Sequence, residues 1–282
     1  MKKSIVIGAN SFIGRCLIEE LKNTTYVTGV YHNNKDKFVE GITYIPISDL
    51  ETGGTDYDDV YLLSAAIHTG TDLNRERRNE LYKVNVDQVA AICQQFPHSK
   101  IIYSSSVSVY LPSDSLITEK SATGGLNEYG VSKYWGEKIV EKAQRYAIVR
   151  FPSVYGPGMK LNTIIPIYIN QALRNREIVV WGEGNRLQNY IHAKDAAGYL
   201  IAAAAHRHND VFLASSRENI SNRSLAEKIA NITNSHLAFT GNDLAASFSY
   251  CNAYSREKLS YKEVLPLEEG LKQTIKWIEK GL

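Results

Sequence analysis

Lys3-Ser4-Ile5-Val6-Ile7-Gly8-Ala9-Asn10-Ser11-Phe12-Ile13-Gly14 runs from an apolar strand into a glycine-bearing turn, and a helical pattern follows from about Ile13 to Lys22. A strand, a glycine turn and a helix in that order present backbone N–H groups and the positive helix end to a pyrophosphate. Gly8 permits the tight turn and Gly14 close packing of helix on sheet. Gly8, Asn10, Ser11, Phe12, Ile13 and Gly14 are therefore candidate contacts for a dinucleotide, with a purely structural strand-to-helix turn as the alternative. Outward from this stretch, strands are predicted at Tyr26–Tyr31, Ile42–Ile47, Val60–Ser64, Lys100–Tyr103 and Ala147–Arg150. Helices are predicted at Arg75–Phe96 and Tyr129–Gln144. Strands that are apolar throughout are buried on both faces, as in a parallel sheet covered by helices, so the alternation predicts an α/β fold with a doubly wound parallel sheet.

Composition narrows the partners. A chain of 282 residues suffices for one large α/β unit, or a mid-sized domain plus a small one. Lys and Arg total 32 against 30 Asp and Glu, and a net charge of +2 makes no electrostatic case for nucleic acid or an anionic membrane. With 44% apolar and 22% charged residues, the chain reads as a globule rather than a disordered or fibrous protein. No apolar run approaches the roughly 20 residues of a membrane helix. The run after Met1-Lys2-Lys3-Ser4 stops at Gly8, too soon for a signal peptide. Cys16, Cys93 and Cys251 are odd in number and lack metal-ligand spacing, which points to buried thiols in a reducing, cytoplasmic setting. The Asp56–Asp59 and Arg75–Arg78 clusters read as solvated faces.

After Phe151 the texture changes. Pro152, Gly156, Pro157, Gly158 and Pro166 crowd a short stretch, and loops are predicted until a helix begins near Asp195. The expected division is a dinucleotide-binding domain over 1–155, to which the chain returns at about 190–214, with 156–282 mostly a smaller substrate-binding lobe.

Two further patterns carry chemistry. The second strand ends at Tyr31-His32-Asn33-Asn34, where an NAD site usually places an acid on the ribose 2′-hydroxyl. Its absence favours NADP, with His32 and Asn33 as donors; neutral residues can also hold a hydroxyl, so NAD stays open. Asp49-Leu50 can cap the adenine edge or form an ordinary turn. Tyr129-Gly130-Val131-Ser132-Lys133 sets a phenol and an ammonium four residues apart on one helix face. A tyrosine titrates near 10 when unperturbed, so work as a base near neutrality needs a fixed cation and the positive charge of an oxidised nicotinamide. Lys133 can supply the first. Ser104-Ser105-Ser106 ends the fifth strand where open α/β sheets bind ligands, and Ser106 can hydrogen-bond a reacting oxygen.

With these motifs in this order, the chain resembles the extended short-chain dehydrogenases/reductases, specifically the NAD(P)-dependent sugar-nucleotide epimerase/dehydratase group. Leu63-Ser64-Ala65-Ala66 is similar to that family's small-residue strand end along the cofactor, and Asn85 to the asparagine of its pattern. Arg150-Phe151-Pro152-Ser153-Val154-Tyr155-Gly156-Pro157, Trp181-Gly182-Glu183-Gly184 and Tyr190-Ile191-His192-Ala193-Lys194-Asp195 are similar to further blocks, as is Leu267-Glu268-Glu269-Gly270-Leu271. The resemblance implies a Rossmann fold, a homodimer through the Arg75–Phe96 and Tyr129–Gln144 helices, and a nucleotide-diphosphate sugar as substrate. It implies cofactor contacts at Ser64, Ala65, Ala66, Asn85, Ser104, Phe151 and Pro152 besides Tyr129 and Lys133. Ser106, Tyr129 and Lys133 are the implied catalytic residues of hydride transfer, expected at C4, in a 4-ketoreductase or a 4-epimerase.

Departures from the family pattern bear on specificity. The middle glycine of the turn is Ser11 here, whose hydroxyl can donate to a phosphate oxygen. The arginine that grips the diphosphate aligns with Gln188, with Arg186 two residues earlier, and the substrate-facing asparagine aligns with Ser153. Ser105, Ser106, Ser153, Arg186 and Gln188 are thus candidate substrate contacts, and His68 joins them from beyond the fourth strand. Dehydratases carry an Asp-Glu pair after the catalytic hydroxyl; this chain has Ser106-Val107, with no acid, which disfavours elimination. His192 reads as structural, His206 and His208 as a solvated turn, and no pattern suggests a metal. A reductase of non-nucleotide carbonyls and a non-catalytic NAD(P)-binding regulator are the alternatives.

Overall fold

A computed structural model describes residues 1–32, 35–50, 54–68, 73–111, 116–125 and 127–281. β1 (Lys3–Ile7) leads through the glycine turn into α1 (Phe12–Leu21), whose buried Gly14, Leu17, Ile18 and Leu21 form one helical stripe. β2 (Tyr26–Tyr31) and β3 (Thr43–Pro46) extend the sheet to one side of β1. β4 (Asp59–Leu62) pairs with its other side. The rod predicted over Arg75–Phe96 is α2 (Arg75–Tyr82) and α3 (Gln88–Gln95), joined by a π-helical turn over Lys83–Asp87 that turns Asn85 inward. β5 (Lys100–Ser106), α4 (Glu128–Val140) and β6 (Arg145–Phe151) follow, and Asn127 caps α4 by accepting from the Gly130 N–H.

Beyond Phe151 the chain is more regular than predicted. β7 (Ser153–Tyr155), α5 (Ile164–Asn175), β8 (Glu177–Trp181) and β9 (Leu187–His192) precede α6 (Ala193–Ala205). Pro166 read as a loop signal, yet it sits in the first turn of α5, where its missing N–H has no helical partner to lose. β10 (Asp210–Leu213) returns to the large sheet, and β11 (Asn219–Ser221), α7 (Asn222–Thr233), β12 (His236–Thr240), α8 (Ala253–Leu259) and α9 (Leu267–Glu279) complete the chain.

The large sheet is α/β and parallel throughout, in the order β10-β6-β5-β4-β1-β2-β3, with the direction of winding reversing between β1 and β4. Its faces pack into two cores. Leu17, Ile18, Tyr199 and Leu200 cover one side, and Val89, Ile92, Phe96 and Val140 the other. A third core gathers Tyr155, Ile169, Val180, Leu225 and Leu271 from α5, α7, α9 and the short strands. Among the described residues no helix is long and apolar enough to cross a membrane. The three cysteines are unpaired and half-buried rather than buried. Asp59, expected on a solvated face, is 2% exposed at the start of β4, where Lys2 donates to it at 3.0 Å.

Two buried cations lock the layers. Lys100 donates to the Ala203 carbonyl at 2.7 Å and to that of His206, filling acceptors left open at the end of α6. Burial lowers its pKa to about 8. Arg150 of β6 grips Glu137 of α4 through both carboxylate oxygens, at 2.9 and 2.7 Å, and Ser105 of β5 donates to the same carboxylate at 2.5 Å. This pair ties α4 to two strands below the sheet's C-terminal edge. Arg150→Met leaves a buried carboxylate without its cation and should cost about 3–5 kcal/mol in urea unfolding. Arg150→Met/Glu137→Leu should recover most of that loss; a double variant as unstable as the single would refute the pairing as the cause.

Candidate active site

A cleft of about 750 Å³ opens at the carboxyl ends of β1, β2, β4, β5 and β6. Its geometry begins at the glycine turn. A Cβ on Gly14 would lie 2.3 Å from the Gly8 carbonyl oxygen, and Gly8 itself takes φ +89° beside the Leu63 and Ser64 backbone just beyond β4. Ser11 Oγ caps α1 by accepting from the Gly14 N–H at 3.1 Å. That bond leaves the hydroxyl proton available to a ligand. Phe12 and Ile13 line the same cleft, and their first-turn N–H groups have no acceptor within the helix.

The cleft gathers Gly8, Asn10, Ser11, Phe12, Ile13, His32, Ser64, Ala65, Ala66, Ser104, Phe151 and Pro152 along its length, with Ser105, Ser106, Tyr129 and Lys133 at its centre. Gly14 packs behind the turn. Asn33 lies outside the described residues.

Other residues stand elsewhere. Asn85 is fully buried and does not line the cleft. It holds the Ala66 backbone from both sides, with Oδ1 accepting from its N–H and Nδ2 donating to its carbonyl at 2.9 Å each, and Nδ2 also donates to Ser132 Oγ. It shapes the Ala66 wall of the cleft. Asp49 and Leu50 stand off the cleft, Leu50 in the core below α3. The His68 ring is drawn to Glu80 at 2.8 Å. The Ser105 hydroxyl is committed to Glu137, while Ser106 Oγ donates to Ser108 Oγ at 3.2 Å and accepts from the Ser108 N–H at 3.1 Å. Ser153, Arg186 and Gln188 line a smaller cleft of about 170 Å³ with Ser108, Phe248 and Tyr250, and it shares Pro152 with the main one. There Arg186 donates to the Ala246 carbonyl at 3.2 Å and Gln188 to Asn222 at 2.7 Å. Among the described residues no cluster of His, Cys, Asp and Glu is placed to hold a metal.

Arg15 enters the cleft wall without having been anticipated, and its buried Nε has no hydrogen-bond partner among the described residues. A cation in the first turn opposes the helix dipole, and that mismatch was the available signal. Glu137, one turn beyond Lys133, was legible from its spacing alone.

The electrostatics at the centre differ from the simple expectation. Burial pushes the Tyr129 phenol up to about 12, and a hydrogen bond with Ser106 works against that rise. Burial drives Lys133 down to about 7, opposed by the Glu137 carboxylate. The ammonium and the serine therefore do not by themselves bring the phenol near neutrality. The neutral phenol can donate a proton to a bound carbonyl oxygen, and a further positive charge in the cleft would favour its taking one from a bound hydroxyl.

Comparison with known proteins agrees with this geometry. The family model described as the NAD dependent epimerase/dehydratase family matches residues 4–214. A putative UDP-glucose 4-epimerase of Methanocaldococcus jannaschii is 23% identical, covering 98% of each chain. A UDP-N-acetyl-alpha-D-glucosaminuronate decarboxylase of Bacillus cytotoxicus is 26% identical over 99% of this chain and 98% of its own. Among solved structures, a UDP-N-acetylglucosamine 4-epimerase from Methanobrevibacter ruminantium superposes with a TM-score of 0.87 at 22% identity, over 100% of this chain and 99% of that one. A UDP-glucuronic acid 4-epimerase from Bacillus cereus, in complex with UDP-glucuronic acid and NAD, gives 0.86 at 20% identity over 99% and 100%. At these identities the superpositions establish the fold.

The site makes one prediction about Ser106. Ser106→Ala removes the bond that opposes the rise in the Tyr129 pKa, so the phenol should titrate at still higher pH. Ultraviolet difference titration against Tyr129→Phe reads this directly, and an unmoved midpoint would contradict the contact.

Proposed function

The chain belongs to the NAD dependent epimerase/dehydratase family and is an enzyme of the extended short-chain dehydrogenase/reductase type, and from that premise we propose that it transfers hydride at C4 of a nucleotide-diphosphate sugar. The observation that carries the reading is the convergence of Ser106, Tyr129 and Lys133 on one cleft with the glycine turn. When bound, a nicotinamide dinucleotide supplies or accepts the hydride. Its pyrophosphate fits the cradle of Gly8, Ser11, Phe12 and Ile13, where any Cβ on Gly14 would force the turn open.

The cofactor we infer is NADP. No carboxylate stands at Tyr31-His32, and Arg15, His32 and Lys37 line that side of the cleft together with Asp36. The unsatisfied Arg15 Nε supports an anionic partner there. NAD is the alternative. Tyr129 takes the proton of the C4 hydroxyl in the oxidising direction and returns it in the reducing one. Ser106 orients that oxygen, and Lys133 holds the nicotinamide ribose and favours the phenolate. A 4-ketoreductase and a 4-epimerase share these steps and differ in whether the cofactor leaves between them. Val107-Ser108 offers no acid to expel a C6 hydroxyl, so elimination has no proton donor in that position.

The nucleotide end of the substrate extends past Pro152 into the smaller cleft, where Arg186 takes the diphosphate beside Gln188 and Ser153. The region 156–282 is then mostly a substrate-binding lobe, and 1–155 with the return at 190–214 the cofactor domain. A homodimer through the α2–α3 rod and α4 buries the exposed Trp135, and the unpaired thiols suit a reducing cytoplasm.

Tyr129→Phe should leave dinucleotide binding nearly intact while cutting turnover by about 10²-fold or more. Unchanged turnover would overturn the catalytic assignment. Thermal-shift titration with NADP⁺, NAD⁺, UDP, dTDP, GDP and CDP separates the remaining options. NADP⁺ and one nucleoside diphosphate should each raise the melting temperature, and Arg15→Ala should erase the preference over NAD⁺. Indifference to every nucleoside diphosphate would point to a non-nucleotide carbonyl substrate.

A further inference from the structure

We propose that Tyr103 is a positioning residue for Lys133: the face of its buried ring fixes the ammonium at the cleft wall and keeps it charged. The proposal rests on the catalytic reading above and deepens it.

The geometry is direct. Lys133 Nζ lies 4.0 Å from the centroid of the Tyr103 ring, with Tyr103 0% and Lys133 1% exposed. A cation over an aromatic face is attracted by the ring quadrupole, and the attraction grows as water is excluded. The ring cannot slide away. A Cβ on Gly136, within one turn of Lys133, would lie 2.2 Å from the Tyr103 hydroxyl, so the tip of the ring is wedged against α4. The hydroxyl itself is buried without a hydrogen-bond partner among the described residues. It adds no bond to the fold, so the contribution of this side chain is its ring.

The charged and titratable groups around the ammonium define what the ring must do. Glu137 of α4 acts on the ammonium and the Tyr103 ring of β5 lies under it, while Tyr129, Glu137 and Cys93 of α3 act on Tyr103 itself. Glu137 favours the charged lysine, but its carboxylate is already shared with Arg150 of β6 and with Ser105. Burial opposes the charge more strongly than Glu137 supports it. The aromatic face is the second support, and it comes from the strand that also carries Ser106. Lys133 and the serine are thereby placed by one element, β5, rather than by α4 alone.

The test is a ¹⁵Nζ and ¹³Cε lysine NMR titration of the full chain, with the Lys133 signal assigned by its loss in Lys133→Met. Tyr103→Phe keeps the ring and should titrate within a few tenths of a pH unit of the parent protein. Tyr103→Leu should lower the Lys133 midpoint by about one unit or more. Should the leucine variant not fold, a series of phenylalanines at 103 carrying one, two and three ring fluorines weakens the quadrupole at nearly constant shape. The midpoint should then fall stepwise with fluorination. A leucine variant that titrates like the parent, or a fluorine series with no trend, overturns the proposal. The outcome is separable from that of the catalytic reading: a wild-type rate in Tyr129→Phe would sink that reading and leave the Lys133 titration unaffected.

Discussion

An ammonium and a phenol buried together one helical turn apart oppose the chemistry they serve. Removing water raises the proton affinity of Tyr129 and lowers that of Lys133, so both groups drift toward their neutral forms. The fold answers with a ring face under the lysine, a carboxylate one turn further on, and a serine hydroxyl beside the phenol. These suffice to hold the constellation in place and not to ionise the tyrosine. On the proposed reading the protein by itself is a poised site, and a cation delivered next to Tyr129 would favour release of its proton. An oxidised nicotinamide is such a cation and its reduced form is not, so the proposed reaction implies that the acid–base state of the site follows the redox state of the cofactor.

That arrangement depends on a small number of ties. The reversal of winding between β1 and β4 opens the cleft, and the glycine turn closes one end of it. Arg150 and Glu137 clamp α4 onto β5 and β6, so the helix carrying Tyr129 and Lys133 stays in register with the strand carrying Tyr103 and Ser106. Asn85, at the π-helical turn, fixes both the Ala66 wall and Ser132. The inserted residue of that turn is what directs the Asn85 amide inward, an instance of a helical irregularity serving a site.

Much of this was legible in the residues. Apolar strands, the glycine turn and the Tyr129–Lys133 spacing are local signals, and local signals predict the parallel sheet and the centre of the cleft. The C-terminal lobe was read too loosely because Pro166 marks a loop in general and a first helical turn in this context. Where a side chain lies relative to the main cleft was not readable from its position in a pattern. His68, Ser153, Arg186 and Gln188 stand away from the main cleft, and Ser105 and Asn85 turn into buried hydrogen bonds. Which of several adjacent hydroxyls or amides faces a ligand is decided by long-range partners such as Glu137, and no spacing within the chain reveals those.

Proton release on cofactor binding bears most directly on the dependence of Tyr129 on an added cation. Mixing the protein with oxidised or reduced dinucleotide in weakly buffered solution containing an indicator dye, across neutral to mildly alkaline pH, counts the protons expelled. The oxidised form should expel close to one proton per site, the reduced form markedly less, and Tyr129→Phe should abolish the difference. Equal release by the two redox forms would contradict the account.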